Sequence, residues 1–299
     1  MIIIKLKGGL GNQLFQYAFG RRIALLSGLP IKLDIISGFL GDFYNRSYIL
    51  SHFNIIENIL SSDEMKYVKI SQSQSLIGKS VRLFSSILPF VNFQTIQERF
   101  NYQYDEKLVI KYKSAYFEGY WQNERYFKPI EEQIRKEFIL KDSLNAQNLN
   151  LSNQIRNSNS VSIHFRRLFA ESNGNVRLSA LSKYPILTLD YYYRSFEILT
   201  SRYKDLHFFI FSDDPSWVKR NLILKYPATY IEHSDNAREY EDFFLMSLCK
   251  HQIIANSTFS WWAAWLNNNP HKIVIAPLNW VNEPNYNSSD LIPESWIKI

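Results

Sequence analysis

The segment 161–167, with the sequence VSIHFRR, constrains the fold of this chain more than any other. Its apolar run predicts a buried strand, and two adjacent arginines, Arg166 and Arg167, stand at the carboxyl end of that strand. In α/β proteins ligands bind at the carboxyl edge of a parallel sheet, and arginine offers a planar fork of donors that fits a phosphate. The segment therefore predicts a site for an anionic ligand. A strand end with solvated basic residues is the simpler alternative.

A glycine-rich turn near the start of the chain predicts a second site of this type. Residues 8–13, GGLGNQ, follow a predicted strand at 2–6 and open a predicted helix at 13–26. Glycines let a backbone approach a ligand closely, and a helix N-terminus attracts anions. The turn nearly matches a dinucleotide fingerprint, but Leu14 replaces the third glycine; Asp34 stands where a ribose-binding acid would. A tight turn without a ligand explains the same residues equally well.

A third loop follows the predicted strand at 252–255. The hydroxyl residues of 256–260, NSTFS, either cap the next helix or hold a phosphate together with backbone N–H groups. Upstream, Asp214 before Pro215 has the pattern of a helix N-cap, whereas Asp213 is available for ligand hydroxyls. The histidines are isolated and no third carboxylate stands at ligand spacing, so we expect no protein-bound metal.

Composition is that of a globular protein without a disulfide framework. The 299 residues suit two domains, 46% of them are hydrophobic, and Cys249 is the single cysteine, which we expect in the core. The net charge of +6 is scattered, so it suits a small anionic ligand or a membrane surface and argues against nucleic acid. Without a leader at Met1 or an apolar run that could cross a bilayer, we expect a cytoplasmic protein.

Strands alternate with helices along the chain, which predicts an α/β protein with parallel sheets. The Asn- and Ser-rich stretch 141–160 marks a boundary, so we expect α/β domains at 1–150 and 151–299 with a ligand cleft. In the first domain we predict further strands at 31–33 and 116–118 and a helix at 123–138. In the second we predict strands at 161–163, 207–211, 229–231, 252–255 and 273–276, and helices at 190–202, 217–226, 240–250 and 259–266.

The segment 71–93 is basic and amphipathic, with Lys79 and Arg82 among apolar residues. Such a segment can lie on a membrane, which gives the protein a peripheral position on its inner face. A helix packed on its own domain is the more common outcome of the same pattern.

Five motifs in order resemble glycosyltransferase family 11, the α-1,2-fucosyltransferases, in its bacterial form. They cover almost the whole chain and are GGLGNQLFQYAFG at 8–20, FEGYWQNERYF at 117–127, SIHFRR at 162–167, FSDDPSWV at 211–218 and EDFFLMSLCKHQIIANSTFSWWAAWL at 241–266.

The resemblance implies two Rossmann-like domains facing a cleft, the GT-B architecture, with the acceptor on the N-terminal side. It implies GDP-β-L-fucose as donor and transfer with inversion to the 2-hydroxyl of a galactose-type acceptor in bacterial surface polysaccharide (O-antigen). It implies neither a metal nor another cofactor. The acceptor would be an oligosaccharide, which can be lipid-linked.

The family motif places Arg166 on the donor β-phosphate with Arg167 in support, and Asp242 resembles an acid that pairs with guanine in related fucosyltransferases. Developing charge on the departing diphosphate should then be stabilised mainly by protein. The full set that we expect at the donor is Gly9, Gly11, Asn12, Gln13, His164, Arg166, Arg167, Asp213, Asp242, Asn256, Ser257, Thr258, Phe259 and Ser260.

One position departs from the family motif His-x-Arg-Arg-x-Asp. Phe169 stands at the aspartate position, which puts an apolar ring in the donor-sugar pocket, and Glu171 is the nearby carboxylate that we expect to act as the base. The exchange leaves open a donor with another GDP-linked deoxy sugar, such as GDP-colitose. Two further alternatives are an NAD-dependent oxidoreductase, from Gly9, Gly11 and Asp34, and a glycan-binding module with a decayed active site.

Overall fold

The computed structural model describes residues 1–72, 93–99, 102–167, 185–232, 238–282 and 288–299. They form two compact units, Met1–Ile139 and Leu140–Ile299. Each unit contains its own parallel sheet, which confirms the predicted α/β class. The division precedes the boundary that we placed near residue 150, because the helix Ala146–Arg156 packs on the second unit, where the Asn148 side-chain amide donates to Glu241 at 2.5 Å.

The first unit is built on a four-stranded parallel sheet in the order β2-β1-β4-β3. Three consecutive isoleucines of β1 are fully buried, as expected for a strand covered on both faces. Helix α1 packs closely on β1 at Gly20, where any side chain would collide with Ile4. The elements are β1 (Ile2–Lys5), α1 (Leu10–Ser27), β2 (Ile31–Asp34), α2 (Ser62–Gln72), β3 (Gln94–Gln97), β4 (Ala115–Glu118) and α3 (Glu131–Glu137).

Three features of this unit differ from the prediction. Helix α2 was not predicted. Strand β3 was not predicted, because its sequence QTIQ is polar and it lies exposed at the edge of the sheet. The single helix predicted at 123–138 is wrong. The chain forms 3₁₀ turns at Glu124–Tyr126 and Lys128–Ile130 before α3, since Asn123 caps the first turn and Pro129 begins the second.

The second unit is built on a six-stranded parallel sheet in the order β10-β9-β8-β5-β6-β7. Its strands match the predicted ones closely, except that the short strand Ile297–Lys298 was not predicted. The helix Pro215–Asn221 ends five residues before the predicted end at 226. The elements are α4 (Ala146–Arg156), β5 (Asn159–Phe165), α5 (Leu189–Thr200), β6 (Leu206–Ser212), α6 (Pro215–Asn221), β7 (Ala228–Tyr230), α7 (Glu239–Leu248), β8 (His251–Ile253), α8 (Thr258–Leu266), β9 (Val274–Ala276) and β10 (Ile297–Lys298).

Both sheets reverse their strand order once, between β1 and β4 in the first unit and between β5 and β8 in the second. The carboxyl ends of strands at such a reversal point form the usual ligand crevice of an open α/β sheet. The motif SIHFRR ends on one side of the second reversal point, and the loop before α8 lies on the other.

Several smaller predictions on the core are confirmed. Cys249 is fully buried, and burial raises the pKa of its thiol, so it stays protonated and unreactive. Trp261, Trp262 and Trp265 are buried on α8. Most of the basic amphipathic segment 71–93 lies outside the described residues. Among the helices that the structure describes, none is long and apolar enough to span a membrane.

Candidate functional site

Residues from three strands meet at the reversal point of the second sheet. Strand β5 delivers His164 and then Arg166 and Arg167, strand β6 is followed by Asp213, and the loop after β8 leads into α8. His164 Nδ1 lies 2.9 Å from the Ser260 hydroxyl, which connects the end of β5 to the first turn of α8. The structure therefore brings together two segments that were predicted separately to contact an anion, 161–167 and 256–260, and adds Asp213, which was predicted to bind ligand hydroxyls.

Asp213 organises both arginines. Its Oδ2 lies 3.0 Å from Arg166 Nη1, and its Oδ1 accepts a hydrogen bond from the Arg167 backbone N–H at 2.8 Å. The Arg166 side chain is 32% exposed, so the guanidinium is held at the sheet edge while it stays accessible. We predicted Asp213 as a ligand for donor hydroxyls; the geometry gives it the additional role of orienting Arg166.

Arg167 is held in a different way. Its guanidinium carbon lies 3.3 Å from the ring centroid of Trp217, a stacked cation–π arrangement. Its Nε is buried with no hydrogen-bond partner among the described residues. Trp217 lies in the first turn of α6, which Asp214 caps by accepting from the Trp217 N–H at 3.0 Å. This confirms the N-cap prediction for Asp214.

His164 is a neutral group in this cluster. It is buried, and desolvation together with the charge of Arg166 lowers its pKa from 6.5 to about 3. The positive charge beside the sheet edge at neutral pH therefore comes from the arginines. The histidine contributes a hydrogen bond to Ser260 and a ring contact to Phe259, whose centroid lies 5.7 Å away.

The start of α8 carries the predicted hydroxyl residues in distinct roles. Ser257 occupies the N-cap position, but its side chain makes no capping hydrogen bond, so the capping interpretation is wrong for this residue. Ser260 is buried and bonds His164. The Asn256 amide donates to the Pro185 carbonyl at 2.8 Å, and its buried Oδ1 accepts no hydrogen bond within the described part of the chain.

Asp242 lies in the first turn of α7, beside the fully buried Glu241. Glu241 accepts from Asn145 at 2.9 Å and from Arg238 at 2.6 Å, which fixes the start of this helix against the segment that precedes α4. The next residue, Phe243, packs on Phe259 with ring centroids 5.6 Å apart. Asp242 thus belongs to a helix start that is anchored next to the start of α8.

The glycine-rich turn of the first unit has a mainly structural set of contacts. Gly8 has φ of +79°, which only glycine adopts readily, and a side chain there would meet Asn12. Gln13 is fully buried; its amide donates to the Gly8 and Ser47 carbonyls at 2.8 and 2.9 Å and accepts from Ile49 N–H at 3.0 Å. Gln13 therefore shapes the turn, and its contact with the donor stays a prediction.

Two other residues of the turn, Gly9 and Asn12, are closer to the surface. Gly9, at the N-cap of α1, has open space at its Cβ position, with Arg46 Nε the nearest atom at 3.9 Å. Gly11 is buried in the first turn of α1. Asn12 is half-buried and accepts from the Gln122 amide at 2.8 Å, which links the turn to the chain after β4.

Asp34 does not have the geometry of a ribose-binding acid. It is 1% exposed and accepts four hydrogen bonds, from the Ile36 and Ser37 backbones, the Ser37 hydroxyl and the Tyr116 hydroxyl. Four bonds use the acceptor capacity of a carboxylate. The residue that favoured a dinucleotide is therefore occupied by the protein itself.

Other predictions lie outside what the structure tests. Phe169 and Glu171 fall outside the described residues. No group of three or more His, Cys, Asp or Glu side chains placed to hold a metal occurs in the described ranges, and metal-independent activity stays a prediction. Sequence reasoning missed the Trp217 platform under Arg167, although the motif FSDDPSWV places it three residues after the N-cap Asp214.

Known proteins resemble this chain over its full length. The family model described as Glycosyl transferase family 11 matches residues 1–299. An α-1,2-colitosyltransferase from Escherichia coli is 35% identical over 308 residues, which covers 100% of this chain and 99% of the relative. The O-antigen biosynthesis glycosyltransferase WbnK from Escherichia coli is 31% identical over 317 residues, with 98% and 99% covered.

A solved structure shows a similar fold. The crystal structure of the fucosyltransferase NodZ from Bradyrhizobium matches with a TM-score of 0.51 and 12% identity, covering 87% of this chain and 90% of NodZ. At this identity the likeness concerns the fold alone, and it agrees with two parallel-sheet units of the GT-B type. With the match of the family model and the two full-length relatives, it follows that the chain belongs to glycosyl transferase family 11 and is a glycosyltransferase.

Proposed function

We propose that this enzyme is an inverting, metal-independent transferase that moves L-fucose from GDP-β-L-fucose to the 2-hydroxyl of a galactose-type acceptor in O-antigen synthesis. The observation that carries the proposal is the accessible Arg166 guanidinium, held by Asp213 at the carboxyl edge of the second sheet. Breaking the bond from the sugar to the β-phosphate leaves negative charge on the GDP. A fixed cation at that point stabilises this charge more in the transition state than in the ground state.

The nearby groups divide the remaining work on the donor. Arg167, stacked on Trp217, adds a second fixed charge beside Arg166. His164 stays neutral at physiological pH, so it acts through hydrogen bonding. Ser257 and Thr258 present the start of α8 to the diphosphate, where backbone N–H groups favour an anion.

Asp242 is the residue that we assign to the guanine base. A carboxylate accepts from the two N–H groups on the edge of guanine, which adenine and uracil do not present. Support comes from the anchoring of its helix by Glu241 and from the contact of Phe243 with Phe259. NodZ has been co-crystallised with GDP.

The acceptor and the place of action rest on the relatives. WbnK is named as an O-antigen biosynthesis glycosyltransferase, so we propose an oligosaccharide acceptor, lipid-linked at the cytoplasmic face of the membrane. During inversion the acceptor hydroxyl attacks from the face opposite the leaving GDP and gives its proton to a base. Glu171 is our candidate for that base.

GDP-colitose is a second candidate donor, and two observations favour it. The relative at 35% identity is named as an α-1,2-colitosyltransferase. Phe169 replaces the aspartate of the family motif, and an apolar ring facing a sugar hydroxyl would bury it without a partner, at a cost of about 1–3 kcal/mol. A sugar that lacks this hydroxyl avoids the cost.

A single set of assays tests these proposals. Transfer from GDP-fucose and GDP-colitose to a β-galactoside is measured by release of GDP, with and without EDTA, for the natural enzyme and Phe169→Asp. We expect transfer that survives EDTA. The colitose assignment would be excluded if kcat/KM were at least tenfold higher for GDP-fucose than for GDP-colitose and this ratio stayed the same in Phe169→Asp.

Controls separate the other functions. Thermal shifts with GDP-, UDP- and CMP-sugars and with NAD should show a GDP preference that Asp242→Asn weakens. Binding of NAD instead would support an oxidoreductase, and binding of β-galactosides without any donor turnover would support a glycan-binding module. A requirement for Mn²⁺ or Mg²⁺ that added metal restores would contradict the metal-independent mechanism.

A further inference from the structure

A cavity of about 540 Å³ lies at the carboxyl edge of the sheet in the first unit, and none of the assignments above uses it. It lies on the α2 side of the sheet, at the ends of β1, β3 and β4. Its volume falls in the range of pockets for small ligands. Its apolar wall includes Met65 and Phe93, and its polar lining comes from Lys5, Ser37, Lys69, Thr95, Gln97, Tyr116 and Glu118.

An ion pair at the strand reversal point supplies the main polar groups of the cavity. Lys5 ends β1, Glu118 ends β4, and Lys5 Nζ donates to Glu118 Oε1 at 2.7 Å. Their side chains are 19% and 29% exposed, so the pair is accessible but held. A carboxylate accepts up to about four hydrogen bonds, so Glu118 retains capacity for ligand hydroxyls.

The base of the cavity is rigid. Tyr116 donates to Asp34 at 2.7 Å, and Ser37 bonds the same carboxylate. Burial raises the pKa of Tyr116, so its hydroxyl keeps the proton that this bond needs. A ligand would therefore meet groups that are already fixed and would lose little free energy in ordering them.

We propose that this cavity binds one sugar ring of the acceptor, with Glu118 accepting hydrogen bonds from adjacent ring hydroxyls and Lys5 orienting the carboxylate. The inference rests on the proposed function, since it gives the acceptor a binding site in the first unit. A carboxylate, an amide and a hydroxyl beside an apolar wall match a pyranose, which has a polar rim and apolar C–H faces.

The test compares two ion pairs of the first unit. Lys5→Met and Glu118→Gln alter the pair in the cavity, and Lys32→Met removes the Lys32–Glu64 pair, which has 18% and 23% exposed side chains and does not line the cavity. Loss of a charge-assisted hydrogen bond predicts that Glu118→Gln raises the acceptor KM about tenfold or more, with GDP affinity unchanged. Lys32→Met should change neither.

A second measurement does not need the donor. Saturation-transfer NMR with methyl β-D-galactoside as the probe should show sugar signals for the natural enzyme and for Lys32→Met, and weak or absent signals for Glu118→Gln. The protein could bind the sugar through Glu118 and yet neither bind GDP nor turn over donor. That result would keep the cavity assignment and overturn the proposed function. Donor turnover with an acceptor KM that Glu118→Gln leaves unchanged would overturn the cavity assignment alone.

Discussion

The two loops at the reversal points of the sheets use their polar residues in opposite ways. In the first unit Gln13 of the glycine turn is buried and bonds its own chain, as does Asp34 at the end of the neighbouring strand β2, so both hold the sheet edge. In the second unit Arg166 and Asp213 remain partly exposed, with 32% and 17% of their side chains accessible.

The difference shows that the same topological position can serve architecture or ligand chemistry. A neutral amide or a saturated carboxylate at a strand end satisfies backbone groups that burial would otherwise leave unpaired. Cations fixed at a strand end have no such backbone role, and we propose that at this sheet edge they act on a ligand. The following predictions test that division, beginning with the largest expected effect.

Arg166→Ala should reduce kcat by about 10²–10³, or roughly 3–4 kcal/mol of transition-state stabilisation, because it removes the cation at the leaving diphosphate. Arg166→Lys should restore little of it, since an ammonium cannot reproduce the bidentate fork. Steady-state release of GDP measures both. Arg194→Ala is the matched control, an arginine 57% exposed on the nearby helix α5; a near-normal kcat for Arg166→Ala would refute the assignment.

Asp34→Ala should destabilise the first unit by about 3 kcal/mol, since it leaves the Tyr116 and Ser37 hydroxyls and two backbone N–H groups without their buried acceptor. Urea unfolding measures the change. The affinity for GDP of the folded protein should stay the same. A loss of nucleotide binding at unchanged stability would instead place Asp34 at a ligand.

Gln13→Ala should lower the free energy of unfolding by about 1–3 kcal/mol, because the Gly8 and Ser47 carbonyls and the Ile49 N–H lose their partner. We expect the donor KM of the folded enzyme to be changed little. If KM rose strongly while the unfolding curve stayed the same, the glycine turn would be a donor contact and the contrast between the two loops would fail.

His164 makes stability depend on pH. Its pKa is about 3 in the folded protein against 6.5 for the ordinary group, so between these values the unfolded chain binds more protons. Stability is therefore lost as pH falls below about 6.5, by up to about 1.4 kcal/mol for each pH unit. His164→Gln should flatten the acid side of the curve of unfolding free energy against pH.

A second buried histidine provides the comparison for this measurement. Desolvation and the charge of Lys250 lower the pKa of His251 to about 4, so His251→Gln should flatten the same curve over a narrower range. If His164→Gln left the dependence of the unfolding free energy on pH unchanged, His164 would not be buried in its neutral form.

Sequence patterns predicted the elements that long apolar runs specify. Strands β1, β5 and β6 and helix α1 are in the expected places because most of their residues are buried, and helix α5 is there because its apolar residues recur at helical spacing on one buried face. Strand β3 was missed since an exposed edge strand with the sequence QTIQ carries no apolar signal. The helix at 123–138 failed because the residues have helical propensity while Asn123 and Pro129 impose short turns.

The candidate site also has residues that a local sequence pattern predicted and contacts that no local pattern predicted. Residue types and strand ends were enough to find Arg166, Arg167 and His164. The contacts that orient them could not be predicted, because Asp213 and Trp217 follow another strand. Pairings between residues so far apart in the chain leave no local sequence pattern. The structural role of Gln13 was also hidden, since its exposure of 0% depends on the loop that packs over it.

The stack of Arg167 on Trp217 also gives the chain an optical reporter. Six of its seven tryptophans are buried, and Trp217 alone is partly exposed, directly beneath a guanidinium. Indole emission responds to nearby charge and to water, whereas the buried indoles provide a steady background. Movement of Arg167 toward or away from the ring should therefore change the fluorescence of the unlabelled protein, so that occupancy at this sheet edge can be followed in real time.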